Sequence, residues 1–268
     1  MSYLSKIRIN PMREAARIML GNPHRVHALI QQGIAIQPVT ERTLWRWEST
    51  ASRHQPHLLV LTESRPDWTH VAEHAGWPHA DGEHFTIRDY EPLFTHLAIG
   101  REFAFKLTAN PVQNTSNPVK PSRQQADRRS SDPKARGERL GHRTVAQQLA
   151  WLLRKQERCG FRIPTLTLAT TTQAANDAAD QPRLETPDAA EDFTVPDVRL
   201  TARDRLSFTK RPHDKGPSIV LSIATFEGRL TVTDPTALRT ALLSGIGPAK
   251  SYGCGLLTLA PLPEAAHA

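Results

Sequence analysis

Gly245-Ile246-Gly247-Pro248-Ala249-Lys250-Ser251-Tyr252-Gly253-Cys254-Gly255 is the stretch from which the rest of this 268-residue chain is best read. Four glycines fall in eleven positions, and one lysine stands between two Gly-apolar-Gly triplets. The pattern predicts a helix before it, over 235–244, and an apolar strand after it, over 256–262. Glycine admits positive φ and lets a backbone approach a partner closely. Successive exposed N–H groups beside an ammonium suit a polyanion. No Gly-Lys-Ser/Thr closes the stretch, so it is not a Walker loop. A strand rather than a helix follows, so it is not the dinucleotide fingerprint. A glycine-rich turn that merely closes a sheet is the competing reading.

Outward from this loop, the periodicities divide the chain into two similar sets. The second set has predicted strands over 102–109, 161–169, 198–209, 219–231 and 256–262. Its helices cover 144–159 and 235–244, the first with Val145, Leu149, Leu152 and Leu153 on its inner side. The first set opens with the alternating strand 3–9 and continues with helices 13–20 and 23–32, broken at Gly21-Asn22-Pro23. Strands 44–48 and 58–63, a helix over 68–75 and a strand over 85–89 complete it. Each set approximates βαββαβ. Two ferredoxin-like (RRM-like) units in tandem, an α+β architecture divided as 1–97 and 98–268, account for both. Residues 113–141 are rich in Pro, Ser, Arg and Lys, and 171–197 in Ala, Asp, Thr and Pro. Neither can bury much apolar area, so both are expected to be mobile and dispensable for folding.

The formal net charge of +7 points to an acidic partner, most commonly nucleic acid, with a solvated basic surface as the alternative. Residues 171–197 carry seven carboxylates against Arg183 alone, so the remainder is more basic still. Cys159 and Cys254 are the only cysteines and form no CxxC pair, which implies neither a disulfide framework nor a zinc site. The amino end does not resemble a signal peptide, and no apolar run reaches the length of a membrane span. A soluble, cytoplasmic protein with no membrane partner is expected.

Among twelve histidines, His24 and His27 stand three apart on the helix that begins at Pro23, so they share a face near its positive end. Imidazoles there suit proton transfer beside a phosphate; a pair of surface histidines is the alternative. His70 and His74 have i, i+4 spacing but no HExxH glutamate or third ligand, so no metal site is assigned. Phe208-Thr209-Lys210-Arg211, with His213 and Lys215 beyond, reads as a basic hairpin tip, or otherwise as a solvated turn. Arg13 and Arg17 on the first helix are weaker basic candidates. Ser251 lacks a GxSxG context. Cys254 reads as a small packed residue, and Trp45, Trp47, Trp151 and Phe226 as core.

The glycine loop resembles the signature of the RAMP superfamily of CRISPR-associated RNA-binding proteins. Together with Phe226-Glu227-Gly228, Tyr3-Leu4-Ser5-Lys6, Leu107-Thr108-Ala109-Asn110-Pro111 and Ala150-Trp151-Leu152, it resembles the CasE endoribonucleases of type I-E Cascade. The likeness spans most of the chain and lapses over 112–142 and 171–197. It implies the tandem ferredoxin-like fold and a metal-independent endoribonuclease without a cofactor. That enzyme would cut precursor RNA at the CRISPR repeat stem-loop by attack of the ribose 2′-OH, leaving a cyclic phosphate. It would stay bound among the other Cascade subunits. The resemblance places His27 at the family's catalytic histidine and His24 where the family has a tyrosine, a departure that leaves the second role open. It implies RNA contacts from the glycine loop, Gly245, Gly247, Lys250, Ser251, Gly253 and Gly255. It implies others from the basic hairpin, Lys210, Arg211 and Lys215. A non-catalytic RAMP-type RNA-binding subunit is the rival reading. A metal-dependent nuclease lacks clustered carboxylates to hold magnesium.

Overall fold

The computed structural model describes residues 1–49, 55–115, 138–168, 193–209 and 218–262. In the first half, β1 (Tyr3–Arg8) leads to α1 (Glu14–Gly21), α2 (Pro23–Gln32), β2 (Leu44–Ser49), β3 (Pro56–Thr62), α3 (Thr69–Ala75), β4 (Phe85–Asp89) and the short α4 (Glu91–Phe94). The sheet order is β2-β3-β1-β4, antiparallel throughout, with Ile7 opposite both Leu58 and Phe85. In the second half come β5 (Glu102–Ala109), β6 (Val112–Thr115), β7 (Glu138–Gly141), α5 (Val145–Leu153), β8 (Phe161–Arg162), β9 (Thr165–Leu168) and β10 (Phe193–Pro196). Then follow β11 (Val198–Phe208), β12 (Ile219–Val232), α6 (Pro235–Ser244), a 3-10 turn (Lys250–Tyr252) and β13 (Leu257–Ala260). The main sheet there runs β11-β12-β5-β13, with β8 beside β12. Both halves therefore show the ferredoxin-like strand order, and the fold is the tandem one expected.

Four local expectations need correction. The helix expected over 144–159 starts at its Thr144 capping box and ends at Leu153. There Lys155 N–H donates to Leu152 O, which tightens the last turn, and a separate 3-10 turn (Glu157–Cys159) follows. The same helix buries Gln148, Trp151 and Leu152 and leaves Val145 exposed. Trp151 stacks on Phe226, with ring centroids 6.4 Å apart, and the larger side chain sets the rotation. The strand expected over 161–169 breaks at Pro164, which has no N–H for a ladder, and β8 and β9 join different sheets. Finally, the ends of both polar stretches expected to be mobile are paired. Val112–Thr115 ladders with Glu138–Gly141 and Phe193–Pro196 with β9, while Asp197 accepts from Arg229 Nε at 2.8 Å. The rest of 113–141 and 171–197 lies outside the described residues.

Each sheet buries one face under helices. Ile7, Met19, Val26, Ile30, Trp45, Val60 and Trp68 fill the first core. Phe105, Leu107, Trp151, Phe226, Leu238 and Leu242 fill the second, which also takes in Leu44 and Leu61 from the first sheet. The halves are joined besides by Arg46, only 2% exposed, which donates to Lys106 O at 2.9 Å, Leu256 O at 3.0 Å and Thr258 Oγ1 at 2.8 Å. Arg46 also pairs with Glu48, which accepts from Lys106 Nζ at 2.8 Å; Lys106 in turn meets Glu227 at 3.0 Å. Such a half-buried network adds little net stability, but breaking it strands the buried Arg46 charge, so it penalises any other placement of the two sheets.

Candidate active site

Helix α2, which carries His24 and His27, is built from its start. Pro23 occupies the first turn and Asn22 caps it, its side chain accepting His24 N–H at 3.0 Å. Val26 and Ile30 bury one face against the sheet, which turns His24 and His27 the other way. His27 Nδ1 is enclosed without a hydrogen-bond partner, so Nε2 is the nitrogen that opens onto a cavity of about 660 Å³. Burial lowers the pKa of His27, and the nearby His24 and Arg42 charges lower it further. The ring is therefore neutral at neutral pH and suited to accept a proton.

The glycine loop reaches this cavity through Ser251. Its 3-10 turn packs against α2 and β2, and Ser251 lines the same cavity as His27. Gly245, Gly247, Gly253 and Gly255 all have positive φ, as expected, and so does Ala249. Two of these positions also need the missing side chain. A Cβ on Gly253 would lie 2.8 Å from Trp45 Cζ3, and one on Gly247 2.9 Å from Trp151 Cζ2. Gly253→Ala is accordingly expected to lose roughly 2–4 kcal/mol of stability, combining backbone strain with overpacking. Gly100, with similar φ and nothing within 4 Å, supplies the control. Urea unfolding of both alanine variants separates the two contributions, and equal losses would mean that the Trp45 contact is unimportant.

Not every loop amide is free for a ligand. Ile246 N–H donates to Gly255 O, Gly255 N–H to Thr108 O and Tyr252 N–H to Ala249 O. The part facing outward narrows to residues 247–252, which line a second cavity of about 1800 Å³. Gly245, Gly253 and Gly255 shape the loop without lining either cavity. Burial, then the Arg42 charge, lowers the pKa of Lys250.

The larger cavity is a basic groove. Arg42, Arg139, Arg143, Arg203, Arg205 and Lys250 line it, with Asp204 as the acidic exception. None of these arginines was singled out from the sequence. The alternation of Arg203 and Arg205 along one strand face carried the signal. Arg139 lies within a stretch that composition marks as unstructured, and Arg143 just beyond it.

The basic hairpin is anchored beside this site. Phe208 meets Tyr252 edge-on at 5.0 Å, and Asn22 Nδ2 donates to Thr209 O at 3.3 Å. Lys210, Arg211 and Lys215 lie outside the described residues. Arg13 and Arg17 are not brought to the site. Arg13 lines a separate cavity of about 440 Å³ with Trp77 and Pro78, and Arg17 lies exposed on α1. Cys254 is packed in the core, its thiol pushed up to about 12 by burial. His70 Nε2 is bonded to Leu29 O at 3.0 Å. Among the described residues no three His, Cys, Asp or Glu side chains converge.

A family profile described as CRISPR associated protein matches residues 2–261. The CRISPR-associated endoribonuclease Cse3 of Thermus thermophilus is 28% identical over 261 residues, which is 97% of this chain and all of that one. The CRISPR system Cascade subunit CasE of Escherichia coli K12 is likewise 28% identical, with the same coverage. The structure of Thermus thermophilus Cse3 bound to an RNA representing a pre-cleavage complex superposes with a TM-score of 0.66. It is 27% identical over 97% of this chain and 99% of that one.

Proposed function

This chain belongs to the family of CRISPR-associated proteins, and from that premise we propose how it acts. It is an endoribonuclease that cuts precursor RNA at the CRISPR repeat stem-loop and keeps the product as a subunit of a Cascade complex. The observation that carries this reading is the meeting of the His27 cavity with the basic groove at Ser251 and Arg42, both of which line both spaces. A-form RNA is read chiefly through its backbone and 2′-OH groups, and arginines along a groove suit that task. Neutral His27 Nε2 takes the proton of the 2′-OH, the 2′-oxygen bonds to phosphorus, and the bond to the 5′-oxygen breaks; that oxygen takes a proton from solvent water, and His27 afterwards releases its own to the solvent. A cyclic phosphate and a 5′-OH result. His24, one turn earlier, hydrogen-bonds the phosphate in place of a phenol. The groove cations and the hairpin of Lys210, Arg211 and Lys215 hold the stem, and Gly245, Gly247, Gly253 and Gly255 shape the loop behind them.

Residues 1–97 constitute the unit that carries the catalytic helix and 98–268 the unit that carries the loop. Among the described residues no helix is long and apolar enough to cross a membrane, and we assign the protein to the cytoplasm. The test is incubation with repeat RNA in excess EDTA. One discrete cut with a cyclic phosphate end is expected. Binding without any cut would leave the RNA-binding-subunit reading instead.

A further inference from the structure

Arg42 belongs to no motif, and nothing near it in the sequence connects it with His27. In the fold it is common to both spaces, lining the His27 chamber with Ser251 and the basic groove with Lys250. The residues after it hold it there. Leu44 packs beneath Gly245 and Trp45 beneath Gly253, both side chains fully enclosed, so the chain carrying Arg42 is clamped against the glycine loop. Among the described residues its guanidinium has neither an ion pair nor a hydrogen bond. The adjacent Glu41 is occupied elsewhere, its carboxylate accepting the N–H groups of Glu63 at 3.2 Å and Ser64 at 2.9 Å.

The charges around this junction are unbalanced in one direction. Arg42 lies close enough to His27 and Lys250 to depress the pKa of both, and Arg42 and Lys250 form a pair of like charges whose repulsion an anion would relieve. The carboxylates of the chamber, Glu41 and Glu63, would repel a phosphodiester placed beside them. A phosphate within reach of His27 is thus favoured at the Arg42 side. A guanidinium offers two parallel N–H donors to two oxygens of one phosphate and stays charged throughout.

We propose that Arg42 is a catalytic residue whose guanidinium grips the scissile phosphate at the junction of chamber and groove. It stabilises the charge that gathers on the non-bridging oxygens as the 2′-oxygen attacks. The proposal rests on the endoribonuclease reading. The titratable groups facing His27 are His24 on its own helix, Arg42, Glu41 and Glu63 along the chamber, and Lys250 on the turn packed against α2. Helix α3 presents His70, bonded to Leu29 O, and α1 meets α2 through Ala16 and Met19.

The experiment is single-turnover cleavage of saturated repeat RNA across a pH series by wild type, Arg42→Ala, Arg42→Lys and His27→Ala, with affinity measured separately. Arg42→Ala should slow cleavage roughly ten- to a hundredfold, somewhat less than loss of an enclosed oxyanion donor because the side chain is exposed. Affinity should fall only a few-fold, as for about one lost phosphate contact. Millimolar guanidinium should restore part of the Arg42→Ala rate, and Arg42→Lys should lie between the two. Loss of the Arg42 charge should also shift the His27 limb of the pH profile upward, because a cation that disfavours the imidazolium is gone. An Arg42→Ala rate equal to wild type overturns the proposal. So does a slowed variant that neither shifts its pH profile nor responds to guanidinium, since that is the behaviour of a structural residue. If wild type itself fails to cut, the endoribonuclease reading fails and this proposal with it.

Discussion

A repeat RNA carrying deoxyribose at the single nucleotide upstream of the cut is expected to bind with nearly unchanged affinity and not to be cleaved at all. The proposed reaction has one nucleophile, the 2′-OH of that nucleotide, and no residue in the His27 chamber can replace it. Among the described residues the hydroxyls lining the chamber are those of Ser251, Thr40 and Thr43, and none of them hydrogen-bonds His27 as an activated nucleophile would. Binding survives because the basic groove contacts many phosphates, and one 2′-OH among them contributes little. Gel separation of products under saturating protein is the measurement. Continued cutting at the same phosphate would rule out 2′-OH attack.

His27→Ala is expected to lower single-turnover cleavage by roughly two to four orders of magnitude, the range for loss of a positioned proton-transfer group. RNA affinity should change little, since the imidazole is neutral when it binds. The sign of the pH dependence follows from the direction of the shift. Burial, His24 and Arg42 all lower the His27 pKa, so the base form is already dominant at neutral pH. The wild-type rate should rise through that lowered pKa on the acid side and level off by neutral pH. His24→Ala should cost roughly one to two orders of magnitude, as for one hydrogen-bond donor to the phosphate. His24→Tyr should be tolerated. A wild-type rate for His27→Ala would remove the catalytic assignment. A larger loss from His24→Ala would put the acting histidine one turn earlier on α2.

Much of this could be read from local pattern, because local pattern is what sets it. Alternation of period two and apolar faces of period 3.6 locate the principal strands and helices of both βαββαβ sets. Spacing of three on a capped helix puts His24 and His27 on one face. The four glycines call for positive φ, which all four adopt. The misread elements are those where a distant contact overrides the local signal. Trp151 rotates α5 to reach Phe226. The ends of the two polar stretches are held by strand partners that composition does not reveal.

The candidate site itself is a property of the tertiary structure alone. The strand order and the network of buried Arg46 with Glu48 and Lys106 bring the 3-10 turn of the second half onto α2 of the first. Only then do His27 and Ser251 share a chamber, and only then does Arg42 stand between chamber and groove. Periodicity reports which face of an element is buried. It does not report which distant element covers that face, because that choice depends on sheet order and on packing between residues far apart in the chain.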